Sequence, residues 1–155
     1  MGRVLSFDDL LKEREAFALA GKQVVTTNGC FDLLHVGHLR YLQAAKQTGD
    51  VLIVLLNSDT SVSALKGPTR PINTEADRAE ILAGLSCVDY VCIFDAQSPE
   101  QWLVKLHPDV HVKGGDYDQE TLPEAKALQA VGTRLVFIPT VPGRSTTSLL
   151  ARANA

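Results

Sequence analysis

The sequence is poor in cysteine, has no excess of basic residues and lacks long apolar runs. Its 155 residues hold three cysteines, Cys30, Cys87 and Cys92. The count is odd and no C-x-x-C spacing occurs, so a reduced, cytoplasmic setting is the simplest reading. Eighteen acidic side chains against fifteen basic ones leave a formal net charge of −3. A general nucleic-acid binder usually carries a basic face, so no nucleic-acid partner is expected; one local cationic pocket stays open. No apolar stretch reaches the roughly 20 residues of a membrane span, and no membrane association is expected. The longest run, Val51 to Leu56, has the length of a strand. The opening MGRVLSFDDLLKEREA has no apolar signal core and carries several acids, which argues against secretion. Gly2 followed by Ser6 fits a myristoylation pattern only superficially, because no second anchor accompanies it.

What remains is ordinary globular composition, 45% apolar and 21% charged. The length suggests one domain over residues 1–155, large enough to bury roughly 68–70% of its unfolded surface. Short β-branched runs alternate with helix-like segments. Ser6 and Asp9 make a capping box for an opening helix within residues 1–21, ahead of the first strand. Strands are expected at 22–27, 51–57, 89–94, 110–113 and 135–138. Helices are expected from His35 to Thr48 with Gly49 as the stop, after Thr74, and after Ser98 with Pro99 in its first turn. Further helices are expected from Thr121 to Gly132 and after Ser145. No repeat, low-complexity tract or linker interrupts the pattern. It predicts an α/β, Rossmann-like doubly wound sheet of about five parallel strands with helices on both faces. Ligands then belong at the carboxyl ends of the strands.

The unusual residues cluster there. After the first strand comes Asn28-Gly29-Cys30-Phe31-Asp32-Leu33-Leu34-His35-Val36-Gly37-His38. Two histidines three apart at a helix start share one face. The helix N-terminus adds unpaired N–H groups and partial positive charge, and Gly37 leaves room for a phosphate. Imidazoles so placed can hydrogen-bond a triphosphate and stabilise charge on a pentacoordinate phosphorus or on departing pyrophosphate. The pattern is neither G-x-G-x-x-G nor a P-loop. A zinc site on His35 and His38 lacks a third ligand nearby, so no direct protein metal ligand is expected.

With this turn, the segments TNGCFDLLHVGH, LNSDTSV, LKGPTRPIN, VKGGDY and GRSTT occur in order along nearly the whole chain. The set resembles the adenylyltransferase domain that makes ADP-heptose from heptose 1-phosphate, within the H-x-G-H nucleotidylyltransferase superfamily. In many bacteria that domain is fused to a sugar kinase; here it is expected to stand alone as a single nucleotidylyltransferase domain. The resemblance implies His35, His38 and Lys66 as catalytic residues, Lys66 swinging from a glycine- and proline-bearing loop onto the α- and β-phosphates. It implies nucleotide contacts from Gly29, Cys30, Phe31, Gly37, Lys46, Gly114, Gly115, Asp116, Arg144, Ser145, Thr146 and Thr147. For Cys30 the backbone N–H matters rather than the thiol. Lys46, about two turns beyond His38, either faces the phosphates or solvates its helix. Asp32, Asp59, Arg70 and Arg78 are candidates for the acceptor side or for supporting the phosphate loop; capping by Asp59 and a structural ion pair at Arg78 are the alternatives. Gly114 and Gly115 let a backbone approach a base or ribose. Asp116 caps, binds a ribose, or holds magnesium through water. Ser145 is an N-cap within a second anion cradle. Cys87, Cys92 and Trp102 read as packing residues, with an oligomer contact as a second reading for Trp102.

The implied reaction is adenylyl transfer from ATP, accompanied by Mg2+, to D-glycero-D-manno-heptose 1-phosphate. It yields ADP-heptose and pyrophosphate for lipopolysaccharide or another heptose-containing glycan. A separate sugar kinase would act upstream, and relatives are commonly homodimers or higher homo-oligomers. Related cytidylyltransferases carry R-x-x-x-x-S-T-T, whereas here Arg144 directly precedes Ser-Thr-Thr. That departure favours adenine over a CTP-dependent enzyme acting on glycerol 3-phosphate. A non-catalytic nucleotide-binding regulatory domain is a third reading, disfavoured by the intact histidine, lysine and Ser-Thr-Thr set.

Overall fold

Residues Val51–Asn57 are buried at every position, and their side chains feed two cores. Leu52, Val54 and Leu56 pack with Val25, Leu42, Leu82 and Val112 on one face. Val51, Ile53 and Leu55 pack with Leu10, Leu103, Leu106 and Leu128 on the other. Alternation along a strand that is apolar from Val51 to Leu56 requires cover on both faces, the arrangement of a parallel sheet between helices. The computed structural model describes residues 1–115, 117–140 and 142–155. In chain order its elements are β1 (Arg3–Val4), α1 (Phe7–Leu19), β2 (Val24–Gly29), α2 (Val36–Lys46), β3 (Val51–Asn57), α3 (Asp59–Lys66) and α4 (Glu75–Ala83). There follow β4 (Tyr90–Phe94), α5 (Glu100–Leu106), β5 (Val110–Gly114), α6 (Ala125–Ala130), β6 (Arg134–Ile138) and α7 (Thr146–Ala153).

Among the described residues the strands form one parallel sheet in the order β1-β4-β3-β2-β5-β6. From β2 the chain steps outward to β3 and β4, then returns to the other side of β2 for β5 and β6. The winding direction therefore reverses between β2 and β5, and a crevice opens above their carboxyl ends. Side chains close the opposite, amino edge. Asp50, Asp89 and Asp109 accept from the amides of Gln23, Leu52 and Val24 at 2.7, 2.7 and 2.8 Å.

The doubly wound class expected from the sequence is present, with one strand more. β1 is two exposed residues that pair with β4 at the sheet edge, too short to leave a hydrophobic period. It precedes α1, which opens at Phe7 after its Ser6 cap. The cap is one-sided: Ser6 Oγ accepts from Asp9 N, while the Asp9 carboxylate takes Lys12 instead. Helix α3 is built from DTSVSALK, rich in poor helix formers; Ser58, rather than Asp59, caps it by accepting from Ser61 N at 3.1 Å. α6 opens at Ala125 rather than after Thr121, because Pro123 disfavours helical backbone at Leu122. Cys87 and Cys92 are core residues and Trp102 packs on Phe94 at 5.3 Å.

Leu55 is fully enclosed in the central strand. Leu55→Ala is expected to cost about 2–5 kcal/mol, the usual range for a buried leucine that leaves a cavity. Urea unfolding checks this as a lowered midpoint with an unchanged slope.

Candidate active site

The turn after β2 carries the site. Phe31 takes a left-handed backbone (φ 45°) and is nearly fully buried, a sparsely populated conformation for a bulky residue. The turn delivers His35 to the N-cap of α2. His35 Nδ1 accepts from Gly37 N at 3.1 Å, and His38 Nδ1 accepts from His35 N at 3.4 Å. The two rings stack with centroids 3.9 Å apart, and His38 leans on Phe31 at 5.3 Å. With both Nδ1 atoms accepting from the backbone, each neutral ring carries its proton on Nε2. Burial pushes the His35 pKa below the ordinary value. Burial, with His35 and Lys66 adding to it, pushes His38 down to about 4. At neutral pH the pair is two aligned, uncharged N–H donors.

Gly37 is required by this stack. A Cβ there would lie 2.8 Å from His35 Cε1 and 3.2 Å from Arg144 Cβ. Gly114 has a packing reason as well: a Cβ would come within 3.1 Å of the Tyr41 ring on α2. Tyr41 in turn donates to Val112 O and bonds Thr27 Oγ1, joining α2 to β2 and β5.

A cavity of about 550 Å³ lies over the β2–β5 crevice. Of the residues singled out in the sequence, it is lined by Gly29, Cys30, Phe31, Asp32, His35, Gly37, His38, Lys66, Gly114, Gly115, Arg144, Ser145, Thr146 and Thr147. Lys66 ends α3 with an exposed side chain and has no ion-pair partner among the described residues. Thr146 Oγ1 donates to Leu33 O at 3.0 Å, which docks α7 beside the histidine turn. Ser145 Oγ caps α7 by accepting from Ser148 N at 3.0 Å. The cradle at α7 therefore offers backbone amides, Arg144 and the Thr147 hydroxyl, two of the expected hydroxyls being engaged in structure. Burial pushes the Cys30 thiol up, outweighing the nearby cations, so it stays uncharged.

Four expected residues stand outside the cavity lining. Lys46 is a correction: it lies at the far end of α2, paired with Asp89 and donating to Asp50 O at the amino edge of the sheet. Eight residues of helix carry it about 12 Å along the axis from His38. Arg78, fully buried, donates to Asn73 O, Cys30 O and Asn57 O at 3.0, 2.8 and 2.8 Å, and to Asp59 Oδ1 at 2.8 Å. It ties the histidine turn to the ends of β3 and the loop before α4, and Asp59 is its partner. Arg70 Nε donates to Asp32 at 2.6 Å. Asp32 also accepts from the amides of Ile72 and Asn73. Burial opposes the Asp32 charge, but those amides and the Arg70 guanidinium outweigh it and hold the carboxyl below its usual range. Asp32 is thus committed to fastening residues 70–73, the loop that follows Lys66. Asp116 lies outside the described residues.

Sequence reasoning passed over Arg40, Lys113 and Tyr117, which also line the cavity. Lys113 sits within the quoted VKGGDY at the carboxyl end of β5, where the strand-end rule that drew attention to its glycines applies equally. Its Nζ donates to Asn28 Oδ1 and O at 3.2 and 3.3 Å, and lies 5.6 Å from the Tyr117 ring centre. Burial pushes its pKa down, against the pull of Glu124. Four basic side chains, Arg40, Lys66, Lys113 and Arg144, thus face one carboxylate already saturated by its own loop, among the described lining residues. The arrangement suits a polyanion with several phosphates. No group of three or more metal-ligating side chains occurs among the described residues.

The sequence pattern of the cytidylyltransferase-like family matches residues 26–149. The chain is 48% identical over 155 residues to the bifunctional protein HldE of Syntrophotalea carbinolica, covering 96% of this chain and 32% of that protein. It is 54% identical over 130 residues to the bifunctional protein HldE of Streptomyces coelicolor, covering 84% and 28%. The chain therefore spans about a third of the length of these relatives. A lipopolysaccharide core biosynthesis protein from Thermoplasma volcanium has a similar crystal structure, with TM-score 0.64 and 26% identity over 78% of this chain and 98% of that one.

Proposed function

We propose, for a chain that belongs to the cytidylyltransferase-like family and is a nucleotidyltransferase, that it transfers AMP from ATP to heptose 1-phosphate, releasing pyrophosphate. The observation that carries the transfer chemistry is the stacked His35–His38 pair, its Nε2–H donors aligned at the N-terminus of α2. The choice of a heptose phosphate is supported by the five ordered segments and by similarity to a protein named for lipopolysaccharide core biosynthesis.

In the proposed reaction a phosphate oxygen of the acceptor attacks the α-phosphorus. The bond from that phosphorus to the bridging oxygen breaks, and pyrophosphate leaves with the electron pair. The acceptor is already anionic, so no side chain need remove a proton. Catalysis is then positioning and charge stabilisation. His35 and His38 donate to the phosphate oxygens on which charge builds. Lys66 follows the triphosphate as a mobile cation. Arg144, Thr147 and the first amides of α7 hold its far end. Magnesium accompanying the nucleotide would offset charge on the triphosphate; among the described lining residues Asp32, the one carboxylate, is taken up by Arg70 and by the amides of Ile72 and Asn73. A sugar kinase reaction would supply the acceptor.

Pyrophosphate release from ATP or CTP, each with heptose 1-phosphate or glycerol 3-phosphate, tests the assignment. Turnover is expected only with ATP and the heptose phosphate. Turnover with CTP and glycerol 3-phosphate would keep the mechanism and replace both substrates. Nucleotide binding without turnover of any pair would mark a regulatory domain.

A further inference from the structure

The cavity has two sides. His35, His38, Arg144 and Thr146 all belong to the α2 side of the sheet: Gly37 abuts Arg144, and Thr146 is bonded to Leu33. Lys113 belongs to the other side. Gly114, its neighbour on β5, faces Tyr41 of α2, and side chains alternate along a strand. His111, two residues back and on the same face as Lys113, points to Glu124 before α6, with 3.6 Å between Nε2 and Oε1. From there the Lys113 ammonium reaches across the point where the winding reverses and donates to Asn28 at the end of β2.

We propose that Lys113 binds the phosphate of the acceptor, an inference that rests on the transfer reaction proposed above. In-line displacement puts the entering and leaving oxygens on opposite sides of the α-phosphorus. If the α2–α7 side holds the departing pyrophosphate, the acceptor phosphate enters from the side on which Lys113 stands. The lysine is equipped for it. Its two hydrogen bonds are long, at 3.2 and 3.3 Å, and run to uncharged oxygens. An ammonium has a third donor, and a bond to phosphate is charge-assisted and stronger than either. No carboxylate lies within ion-pair distance of Nζ among the described residues. Tyr117 flanks the ammonium, and Asn28 sets its direction.

The test is steady-state pyrophosphate release by the full chain and by Lys113→Met and Lys113→Arg, with ATP and heptose 1-phosphate varied separately. Lys113→Met is expected to raise KM for the sugar phosphate at least about tenfold, the loss of one charge-assisted bond. KM for ATP is expected to stay within about twofold, and Lys113→Arg to recover most of the loss. An equal rise in both KM values, or a rise for ATP alone, at an unchanged melting temperature, overturns the assignment. A second measurement needs neither turnover nor a folded variant. The wild-type chain is acetylated with and without inorganic phosphate, and the peptide containing Lys113 is read by mass spectrometry. Protection by phosphate is expected; labelling at an undiminished rate overturns the inference. Absent wild-type turnover together with protected Lys113 would sink the heptose reading while leaving the phosphate contact standing.

Discussion

Replacing His38 by alanine is expected to lower kcat about 10²–10³-fold, the usual loss when one preorganised donor is removed from a developing negative charge. The fold should persist, because His38 is only partly buried and its one backbone bond, from His35 N, is long at 3.4 Å. KM for ATP should change less than kcat, since the donor matters most when charge has built up on the phosphate. His38→Gln, whose amide N–H reaches the position of Nε2, should lose less. A kcat within threefold of wild type would remove His38 from the chemistry. The same residue carries a stability signature. Its pKa in the folded chain is about 4, against roughly 6.5 in an unfolded one. Above pH 6.5 both states are neutral there and its contribution is complete. As pH falls from 6.5 to about 4 the unfolded chain takes up a proton that the native site refuses, and stability is lost. Thermal melts of wild type and His38→Ala over that window should converge toward acid. Parallel curves would show that the ring is not held neutral by its surroundings.

The parts of this protein that could be read from the chain are those written within a few residues. The buried run at 51–57 announces a central parallel strand by its lack of any polar face. The spacing of His35, Gly37 and His38 places two rings and a gap on one helical face. Local spacing also fixes the Ser145 cap. The remainder depends on partners far apart in sequence. Asp32 meets Arg70, Ile72 and Asn73 about forty positions away, and nothing near Asp32 encodes that loop. Lys46 has the right charge and belongs to the right helix, yet the helix rise carries it to the wrong end of the sheet. Lys113 stood unnoticed among glycines because a lone lysine is usually a solvated one. Its enclosure follows from the pairing of β5 with β2, which only the strand order supplies. Gly37 and Gly114 were legible as places needing no side chain. The reason differs from ligand approach alone, since each is pressed by a ring, His35 in one case and Tyr41 in the other.

The largest stability effect is expected at Arg78, which is not itself part of the cavity lining. Its guanidinium, fully buried, joins four chain segments: Cys30 in the histidine turn, Asn57 at the end of β3, Asp59 at the start of α3 and Asn73 before α4. Arg78→Ala leaves those carbonyl oxygens without donors in a dry place, and removal of one member of a buried charged network costs about 3–5 kcal/mol. Most of that should come from the carbonyls, because Asp59 is partly exposed and water can serve it. Arg78→Lys should restore little: an ammonium is a compact point of charge and lacks the planar fork that faces several acceptors at once. Denaturant unfolding with the slope compared between variants measures the loss directly. A cost under about 1 kcal/mol, or full recovery by lysine, would mean that the four segments hold their places without this tie. The effect on catalysis follows from the same contacts. The Cys30 carbonyl belongs to the turn that sets the histidine stack, so a folded Arg78 variant, rescued at low temperature, should lose kcat as well as stability. Its loss should be smaller than that of His38→Ala, since Arg78 positions the donors and does not itself meet the phosphates.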